Sequence, residues 1–239
     1  MITLILPYYN QPLMLAKQLE VIRTYPKALK VIVVDDGSND DARSHIDLRK
    51  LRGIDFSLFR IKEDIPWNRE EARNLGAYKA QTDWIIQLDI DHILPLKCAV
   101  NLLEYSLKAE WYRFPRKRRG KADATRQKDA LSPHAVQGNI HPHQDSYLIR
   151  RDWFLASPYD ERYAGCLGGG TPFLKRMEQL HDNPKLLPAS IYLEVWTMDK
   201  IGDASVSLNR DKSEYVRRRE LYADACPPKM LCHPWEQVI

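Results

Sequence analysis

Trp84-Ile85-Ile86-Gln87-Leu88-Asp89-Ile90-Asp91-His92 is the most informative segment of the chain. The apolar run from Trp84 to Leu88 predicts a buried strand, and two aspartates follow directly at its end. Burying an unpaired carboxylate is costly, whereas a divalent cation, or a diphosphate carried by that cation, would make the position of these acids favourable. The alternative is a turn with two solvated acids, because Asp-x-Asp is common in loops.

Strands and helices alternate through the first hundred residues. Strands are predicted over residues 2–6, where Pro7 ends the run, and over residues 31–34, 56–61 and 83–88. Helices are predicted from Pro12 to a stop at Pro26, from the N-cap Asn68 with its capping-box partner Glu71 to Ala80, and from Pro95 to Leu107. This alternation predicts an α/β fold with right-handed crossovers and a mostly parallel sheet that helices cover.

Polar residues follow three of these predicted strands at the point where each one ends. They are Tyr9, Asn10, Asp35, Asp36, Asp89 and Asp91. In such sheets ligands bind beyond the carboxyl ends of the strands, so we expect these side chains to lie along one rim. Three acid or amide clusters at equivalent places favour a ligand site over three unrelated turns.

The periodicity weakens beyond residue 110. The segment from Arg116 to Pro142 is rich in charge, Gly, Pro and His, which predicts a long loop. Strands are predicted over residues 146–149 and 191–196, and helices over residues 172–180 and 214–222. After Pro227-Pro228 we expect an irregular end to the chain.

The composition is that of a soluble globular protein with one main core. Of 239 residues, 44% are hydrophobic and 28% are charged, and no stretch approaches the roughly 20 apolar residues of a membrane span. The chain enters a strand at Ile2 without a basic leader segment, so we expect a cytoplasmic protein. The four cysteines form no Cys-x-x-Cys pair, which favours reduced thiols. A zinc site from Cys226, Cys232 and His233 would have poor spacing and no evident fourth ligand.

Two clusters interrupt a nearly balanced net charge of +4. One is the basic segment Arg113 to Lys121, which includes Arg116, Lys117, Arg118 and Arg119, and the other is Arg217-Arg218-Arg219. Each cluster is either a solvated basic face or a binding surface for an anionic partner such as nucleic acid. No aromatic-rich nucleic-acid motif accompanies them.

Four motifs occur in a fixed order along the first half of the chain. They are Leu4-Ile5-Leu6-Pro7-Tyr8-Tyr9-Asn10, Val33-Val34-Asp35-Asp36-Gly37-Ser38, Ala72-Arg73-Asn74-Leu75-Gly76 and Leu88-Asp89-Ile90-Asp91. In this order and spacing the chain resembles the glycosyltransferases of family 2. The resemblance covers about residues 1–110 and continues more weakly over residues 146–151 and 159–163.

The resemblance implies a GT-A fold, which is a Rossmann-like α/β fold with a mixed, mostly parallel sheet, a small acceptor-side subregion and a C-terminal extension. It divides the chain into a nucleotide-sugar-binding half over residues 1–110, an acceptor-side half of the same domain over residues 111–205, and a tail over residues 206–239.

The resemblance also implies a donor site for a nucleotide-diphospho-sugar with Mn²⁺ or Mg²⁺. Asp89 and Asp91 match the motif that meets metal, ribose and diphosphate. The Asp35-Asp36 pair matches the position that holds the base and ribose, and a carboxylate that accepts from a uracil imide N–H makes a UDP-sugar our first choice. The family's base-pocket wall corresponds to Pro7, Tyr9 and Asn10 of this chain.

Two arginines and two histidines add to this implied site. Arg69 or Arg73 could approach the diphosphate as a bidentate donor; the alternative for Arg73 is a helix-surface ion pair with Glu70 or Glu71. We interpret His92 as a loop histidine in preference to a metal ligand. His233 is the better candidate for a ligand from the C-terminal tail, as some GT-A enzymes use.

The resemblance breaks at the catalytic base. Inverting relatives place a carboxylate before a helix, where this chain has Leu167-Gly168-Gly169-Gly170-Thr171-Pro172-Phe173-Leu174 without an acid. Asp160 and Glu161 are the nearest carboxylates, with a structural cap or ion pair as the alternative for each. Further candidates are Asp145, His141 and His143. The family analogy suggests inversion of the anomeric centre.

Four functions remain open on the sequence. The leading one is metal-dependent sugar transfer from a UDP-sugar to a hydroxyl acceptor, such as a soluble or membrane-surface glycan precursor. A second keeps the donor but transfers to hydroxymethylated bases in DNA, because of the basic Arg113 to Lys121 segment. A third is a catalytically silent nucleotide-sugar-binding module, because the base is missing. A nucleotidyltransferase is a weaker alternative, since the chain lacks an N-terminal Gly-rich phosphate loop.

Overall fold

The computed structural model describes residues 1–65, 68–119, 139–140, 142–166, 168–196, 213–222 and 227–239. The strands are β1 Ile2–Tyr8, β2 Leu29–Asp35, β3 Phe56–Ile61, β4 Trp84–Gln87, β5 His92–Ile93, β6 Trp111–Arg113, β7 Arg116–Arg119, β8 Asn139–Ile140, β9 Tyr147–Arg150, β10 Lys185–Leu186, β11 Leu193–Trp196 and β12 Trp235–Gln237. The α-helices are α1 Pro12–Ile22, α2 Arg69–Lys79, α3 Leu96–Glu104, α4 Arg151–Ala156, α5 Thr171–Leu180 and α6 Ser213–Leu221. Short 3₁₀-helices lie at Ala42–His45, Leu48–Leu51 and Glu161–Tyr163.

Within these residues, one large mixed sheet organises the molecule. Its strand order is β10-β6-β9-β4-β1-β2-β3-β12. Strands β4, β1, β2 and β3 run parallel, whereas β9 runs antiparallel to both β4 and β6. A smaller sheet has the order β5-β11-β7-β8. The predicted α/β fold with a mostly parallel central sheet is therefore confirmed.

Both faces of the central strands are buried, as the apolar runs predict. Leu4 and Leu6 of β1 pack on one face in the cluster that includes residues of α1 and α3. Ile5 packs on the other face, with residues of α2, α4 and α5. Gly76 lets α2 approach this face closely, because a Cβ there would lie 2.3 Å from Cγ2 of Ile5.

β1 continues through Pro7, where the sequence predicted its end. The Tyr8 carbonyl accepts from Asp36, directly after β2, and the Ile5 carbonyl accepts from Leu88, directly after β4, so the alternation of a strand turns Pro7 towards β4. Pairing with β4 ends at Ile5, so the missing N–H of Pro7 leaves no ladder bond unmade.

The structure also differs from the predictions for parts of the second half of the chain. The predicted loop from Arg116 to Pro142 begins with β7 and ends near β8, while residues 120–138 and 141 lie outside the described part of the chain. The expected irregular end contains β12, which pairs antiparallel with β3. α3 stops at Glu104 because Tyr105 is extended, with φ −74° and ψ 130°. No helix among the described residues is long and apolar enough to cross a membrane.

Candidate active site

The carboxyl ends of β1 and β2 meet directly at one rim of the sheet. Tyr8 pairs with Asp35, and the backbone N–H of Asp36 donates to the Tyr8 carbonyl at 2.9 Å. The N–H of Asn10 donates to Oγ of Ser38 at 3.0 Å. The structure thus brings together the first two predicted polar clusters.

The carboxylate of Asp35 shapes the turn that follows β2. Its two oxygens accept from the backbone N–H groups of Ser38 at 2.8 Å and Ala42 at 2.9 Å, and the side chain is fully buried. Burial raises the pKa of Asp35 although these hydrogen bonds oppose the shift. These contacts give Asp35 a structural role, and its predicted contact with a donor stays a prediction.

Asp36 is buried beside two further acids. Burial, followed by the charges of Glu70 and Glu71, raises the pKa of Asp36 well above its usual range. Its Oδ1 has no hydrogen-bond partner among the residues that the structure describes. A buried oxygen of this kind is a candidate partner for a ligand group.

The predicted pocket wall is held by contacts between three loops. Asn10 adopts a left-handed φ of 48°, and its Oδ1 accepts from the N–H of Asp40 at 2.9 Å. The hydroxyl of Tyr9 donates to Asp64 at 2.9 Å, and burial together with Asp64 raises the pKa of Tyr9 to about 12. The turn after β2 requires a glycine at position 37, because its φ is +69° and a Cβ would lie 2.3 Å from the carbonyl oxygen of Glu63.

The first turns of α2 carry two arginines into the site. Arg73 is fully buried, contacts Asp89 through Nη2 and donates to the Asp145 carbonyl at 3.0 Å. Arg69 contacts the Asp145 carboxylate at 3.0 Å and Glu70 at 3.2 Å. The alternative of a helix-surface ion pair for Arg73 is therefore wrong.

The start of α2 differs from the predicted capping box. Asn68 is the N-cap residue, but its side chain makes no capping hydrogen bond to the helix backbone. Instead its Nδ2 donates to Oε2 of Glu71 at 2.6 Å. The helix is fixed at this end by buried side chains.

Asp89 lies between Arg73 and His143. Nδ1 of His143 is 3.1 Å from Oδ2 of Asp89. Burial alone would raise the pKa of Asp89, but Arg73 and His143 hold this pKa well below its usual range. Asp89 is therefore a carboxylate, the form that binds cations.

His92 is a buried histidine of β5, which corrects its interpretation as a loop residue. Its Nε2 lies 3.1 Å from Nη1 of Arg116, and because a guanidinium can only donate, Nε2 accepts. Nδ1 then carries the proton and donates to Oγ of Ser146 at 2.6 Å. The same Oγ accepts from the N–H of Asp89 at 3.2 Å. Both ring nitrogens are thus engaged, Nε2 by Arg116 and Nδ1 by the Ser146 hydroxyl that holds the Asp89 backbone.

Two clusters of described residues have ligand atoms close enough for a metal ion. One is Asp89, His92 and His143, and the other is Glu71, Glu161 and His233; within each, the atoms lie within 4.8 Å of one another. His233 contacts Glu71 through Nδ1 and donates its backbone N–H to Oε1 of Glu71 at 3.0 Å. The structure therefore places His233 with Glu71, in a different cluster from Asp89.

The donor set of the first cluster fits a divalent cation. Carboxylate oxygen and imidazole nitrogen both suit Mn²⁺. Since the nitrogens of His92 are engaged, Asp89 and His143 are the groups best placed, with Asp91 two residues from Asp89.

The glycine turn before α5 lies against carboxylates from other segments. A Cβ on Gly170 would lie 3.5 Å from Oδ1 of Asp145 and 3.8 Å from Oε1 of Glu70. Glu70 is fully buried, which raises its pKa. Within the described part of the chain, Oδ1 of Asp145 and Oε2 of Glu70 have no hydrogen-bond partner. The sequence had Asp145 only as a further candidate base, and no local signal singled out Glu70.

Asp160 and Glu161 hold the C-terminal segment. Asp160 accepts from Arg162 at 2.6 Å and caps the 3₁₀-helix. Glu161 accepts from Asn74 at 2.8 Å and from the N–H groups of Leu231 and Cys232 at 2.7 Å. These contacts match the structural alternative, and the catalytic role of either acid stays a prediction.

Neither basic cluster is a uniformly solvated face. Arg116 is buried and donates to His92, and Nζ of Lys117 lies 3.7 Å from the centroid of the Tyr192 ring. Arg218 donates to the carbonyls of Arg162 and Ala164. The side chains of Arg118 and Arg119, and residues Lys121, His141 and Cys226, lie outside what the structure describes.

The mixed α/β sheet, with acids after β2 and β4 and Arg69 and Arg73 on α2, matches the GT-A fold of solved glycosyltransferases. The family model described as "Glycosyl transferase family 2" matches residues 3–150, which is more than half of the chain. The chain therefore belongs to glycosyltransferase family 2, and the predicted family is confirmed. No curated protein matches its sequence.

Several solved structures share this fold at low sequence identity. Residues 1–349 of TarS from S. aureus, in complex with UDP-GlcNAc, give a TM-score of 0.68 at 14% identity, over 92% of this chain and 64% of that one. The mannosyltransferase PcManGT from Pyrobaculum calidifontis, in complex with GDP-Man and Mn²⁺, gives 0.58 at 13% identity, over 95% and 65%. Glucosyl-3-phosphoglycerate synthase from Mycobacterium tuberculosis, with phosphoglyceric acid, gives 0.53 at 16% identity, over 84% and 72%. This chain thus spans slightly under two thirds of the TarS fragment.

Proposed function

We propose that the protein transfers a sugar from a nucleotide-diphospho-sugar, a UDP-sugar by preference, to a hydroxyl acceptor, with Mn²⁺ or Mg²⁺ and inversion of the anomeric centre. The observation that carries the proposal is the Asp89 carboxylate, fixed between Arg73 and His143 at the rim of a family 2 chain. The complexes of the structural neighbours with UDP-GlcNAc, GDP-Man and Mn²⁺ support this donor class.

The nucleotide would lie across the ends of β1 and β2. A uracil imide N–H needs an acceptor, and the unpartnered Oδ1 of Asp36 offers one. The loop of Tyr9 and Asn10 borders the same space, because Asn10 is bonded to the turn after β2. This arrangement is the support for a uridine nucleotide.

The diphosphate and metal would lie at the ends of β4 and α2. Asp89 and His143, with Asp91 from the same loop, would hold the ion, which when bound screens the diphosphate and stabilises charge on the leaving group. Arg73 orients Asp89, and Arg69 at the start of α2 can approach the phosphate oxygens.

The acceptor hydroxyl would approach from the side of β9. Its attack on the anomeric carbon opposite the diphosphate releases one proton, which a base must take. Asp145 is our candidate, because its Oδ2 pairs with Arg69 while its Oδ1 borders the glycine turn, 3.6 Å from Nη1 of Arg73 and without a hydrogen bond among the described residues. The originally predicted Asp160 and Glu161 are engaged by Arg162, Asn74 and the C-terminal segment.

Turnover of the donor tests this function. Release of UDP from a UDP-sugar is measured in Mn²⁺ for the wild type, Asp91→Asn and the control Asp83→Asn, which changes an exposed acid at the other end of β4. We expect Asp91→Asn to lower turnover by about a hundredfold or more, since it removes a charge that holds the ion.

Calorimetry of UDP binding completes the test. Asp91→Asn and Asp36→Ala should both weaken UDP binding, whereas Asp83→Asn should not. Unchanged affinity in both site variants would refute the site. UDP binding without UDP release, with any donor or acceptor, would favour the silent binding module.

A further inference from the structure

Arg113 lies on the same rim as Asp89, on the acceptor side. Tyr147 of β9 pairs with Gln87 of β4 on one side and with Arg113 of β6 on the other. Because β9 is antiparallel to both strands, β6 and β4 end at the same edge of the sheet. Asp145 and Ser146 precede β9 and therefore lie between Asp89 and Arg113 along this edge.

The guanidinium of Arg113 is half-buried and unpaired. Its Nε is fully buried, and among the described residues the side chain has no hydrogen bond and no ion pair. Its guanidinium carbon lies 5.8 Å from the centroid of the Trp111 ring. Burial lowers the pKa of Arg113, and Glu178 and Asp145 oppose this shift from a distance.

A second unpartnered donor lies on the same face of β6. The indole Nε1 of Trp111 is buried and has no acceptor within the described ranges. Residues two apart in a strand project to the same side, so Trp111 and Arg113 face the same side of the sheet. Both groups can only donate hydrogen bonds.

Nearby arginines each have an ion-pair partner, although Nε and Nη1 of Arg73 make no hydrogen bond within the described part of the chain. Arg73 contacts Asp89, Arg69 contacts Asp145 and Glu70, and Arg162 contacts Asp160. A partly desolvated cation without a partner lowers the stability of the folded protein. An anionic ligand that binds Arg113 would supply the missing ion pair.

We infer that Arg113, with the indole N–H of Trp111 on the same face, binds an anionic group of the acceptor, either a phosphate monoester or a carboxylate. Planar guanidinium matches both anions with two parallel hydrogen bonds. The inference rests on the proposed function, because that function makes this end of the rim the acceptor side. The donor diphosphate is separated from it by Asp145, which is already bonded to Arg69.

Binding of small hydroxyl compounds tests the inference without requiring turnover. Glycerol 3-phosphate, glycerate and glycerol are titrated by calorimetry into wild-type protein, Arg113→Gln and Lys185→Gln, with UDP and Mn²⁺ present to occupy the diphosphate site. Lys185 is an exposed cation on the neighbouring strand β10, so it controls for general electrostatics. We expect the wild type to bind at least one of the two anions but not glycerol, and Arg113→Gln to weaken that binding by about tenfold or more. Tighter binding of glycerol 3-phosphate would identify the anionic group as a phosphate monoester, and tighter binding of glycerate would identify it as a carboxylate.

Thermal unfolding without ligand separates a binding role from a structural one. Removing an unpaired cation should leave the melting temperature of Arg113→Gln unchanged or raise it, whereas a structural role predicts a lower one. Failure of the wild type to bind either anion, equal losses in Lys185→Gln, or a lower melting temperature in Arg113→Gln would each overturn the inference.

The variant Arg69→Gln keeps this result separate from the proposed donor site. If UDP does not bind, the anions are titrated without it. Loss of anion binding in Arg69→Gln but not in Arg113→Gln would then place the anion at the diphosphate site and would also overturn the inference.

Discussion

The two halves of the rim are built in different ways. In the donor half, the carboxylate of Asp35 finds its partners three and seven residues along the chain, in the turn that directly follows β2. In the acceptor half, Arg73 reaches the Asp145 carbonyl across 72 residues, and Asn74 reaches Glu161 across 87. The turn that Asp35 shapes in the donor half is thus a local strand-turn motif, whereas the acceptor half exists only once distant segments have packed. A short motif can therefore specify that turn but not the acceptor half.

Two glycines offer the sharpest test of this difference, one in each half. Gly37 has φ +69° and would place a Cβ 2.3 Å from a backbone carbonyl oxygen, whereas Gly170 has φ −73° and its Cβ would meet nothing closer than 3.5 Å. We expect Gly37→Ala to lower the free energy of unfolding by about 3 kcal/mol or more, from backbone strain and overlap together. Gly170→Ala should change it by less than about 1 kcal/mol. Urea unfolding of both variants measures this.

Equal losses in the two glycine variants would contradict the comparison. If Gly170→Ala instead folds normally but loses turnover, the glycine serves the space beside Asp145. That result would show that the glycine turn serves acceptor binding and does not stabilise the fold.

Exchange of single acids tests the acceptor half. Asp145→Asn keeps the shape of the side chain but removes the base, so turnover should fall by about a hundredfold while UDP affinity changes by less than about threefold. Asp160→Asn is the matched control, because Asp160 is engaged with Arg162. Steady-state kinetics and calorimetry give the two quantities. Loss of turnover in Asp160→Asn or Glu161→Gln, with Asp145→Asn active, would restore the original prediction.

What the sequence could predict follows the same division. The parallel strands, α1, α2 and the acids after β2 and β4 were predictable, because apolar runs and turn residues are local signals. β6, β10 and β12 were not, since each has two or three residues and forms by pairing with a distant strand. The burial of Arg73 was missed for the same reason, because its partner Asp145 lies 72 residues away.

The smallest expected effect concerns the pH dependence that Asp36 gives to the donor half. Burial and the neighbouring Glu70 and Glu71 raise its pKa well above the usual value of 3.8. As pH rises from 3.8 towards this raised pKa, the unfolded chain loses the Asp36 proton while the folded chain keeps it, so the contribution of Asp36 to stability falls across this window. Asp36→Asn removes this dependence and should be more stable than the wild type by on the order of 1 kcal/mol at neutral pH, with no difference at the acid end. Urea unfolding at a series of pH values measures it, with Asp83→Asn as the control. If the stability difference between wild type and Asp36→Asn does not change through this window, or changes in favour of the wild type, Asp36 is not the buried neutral acid that its raised pKa indicates.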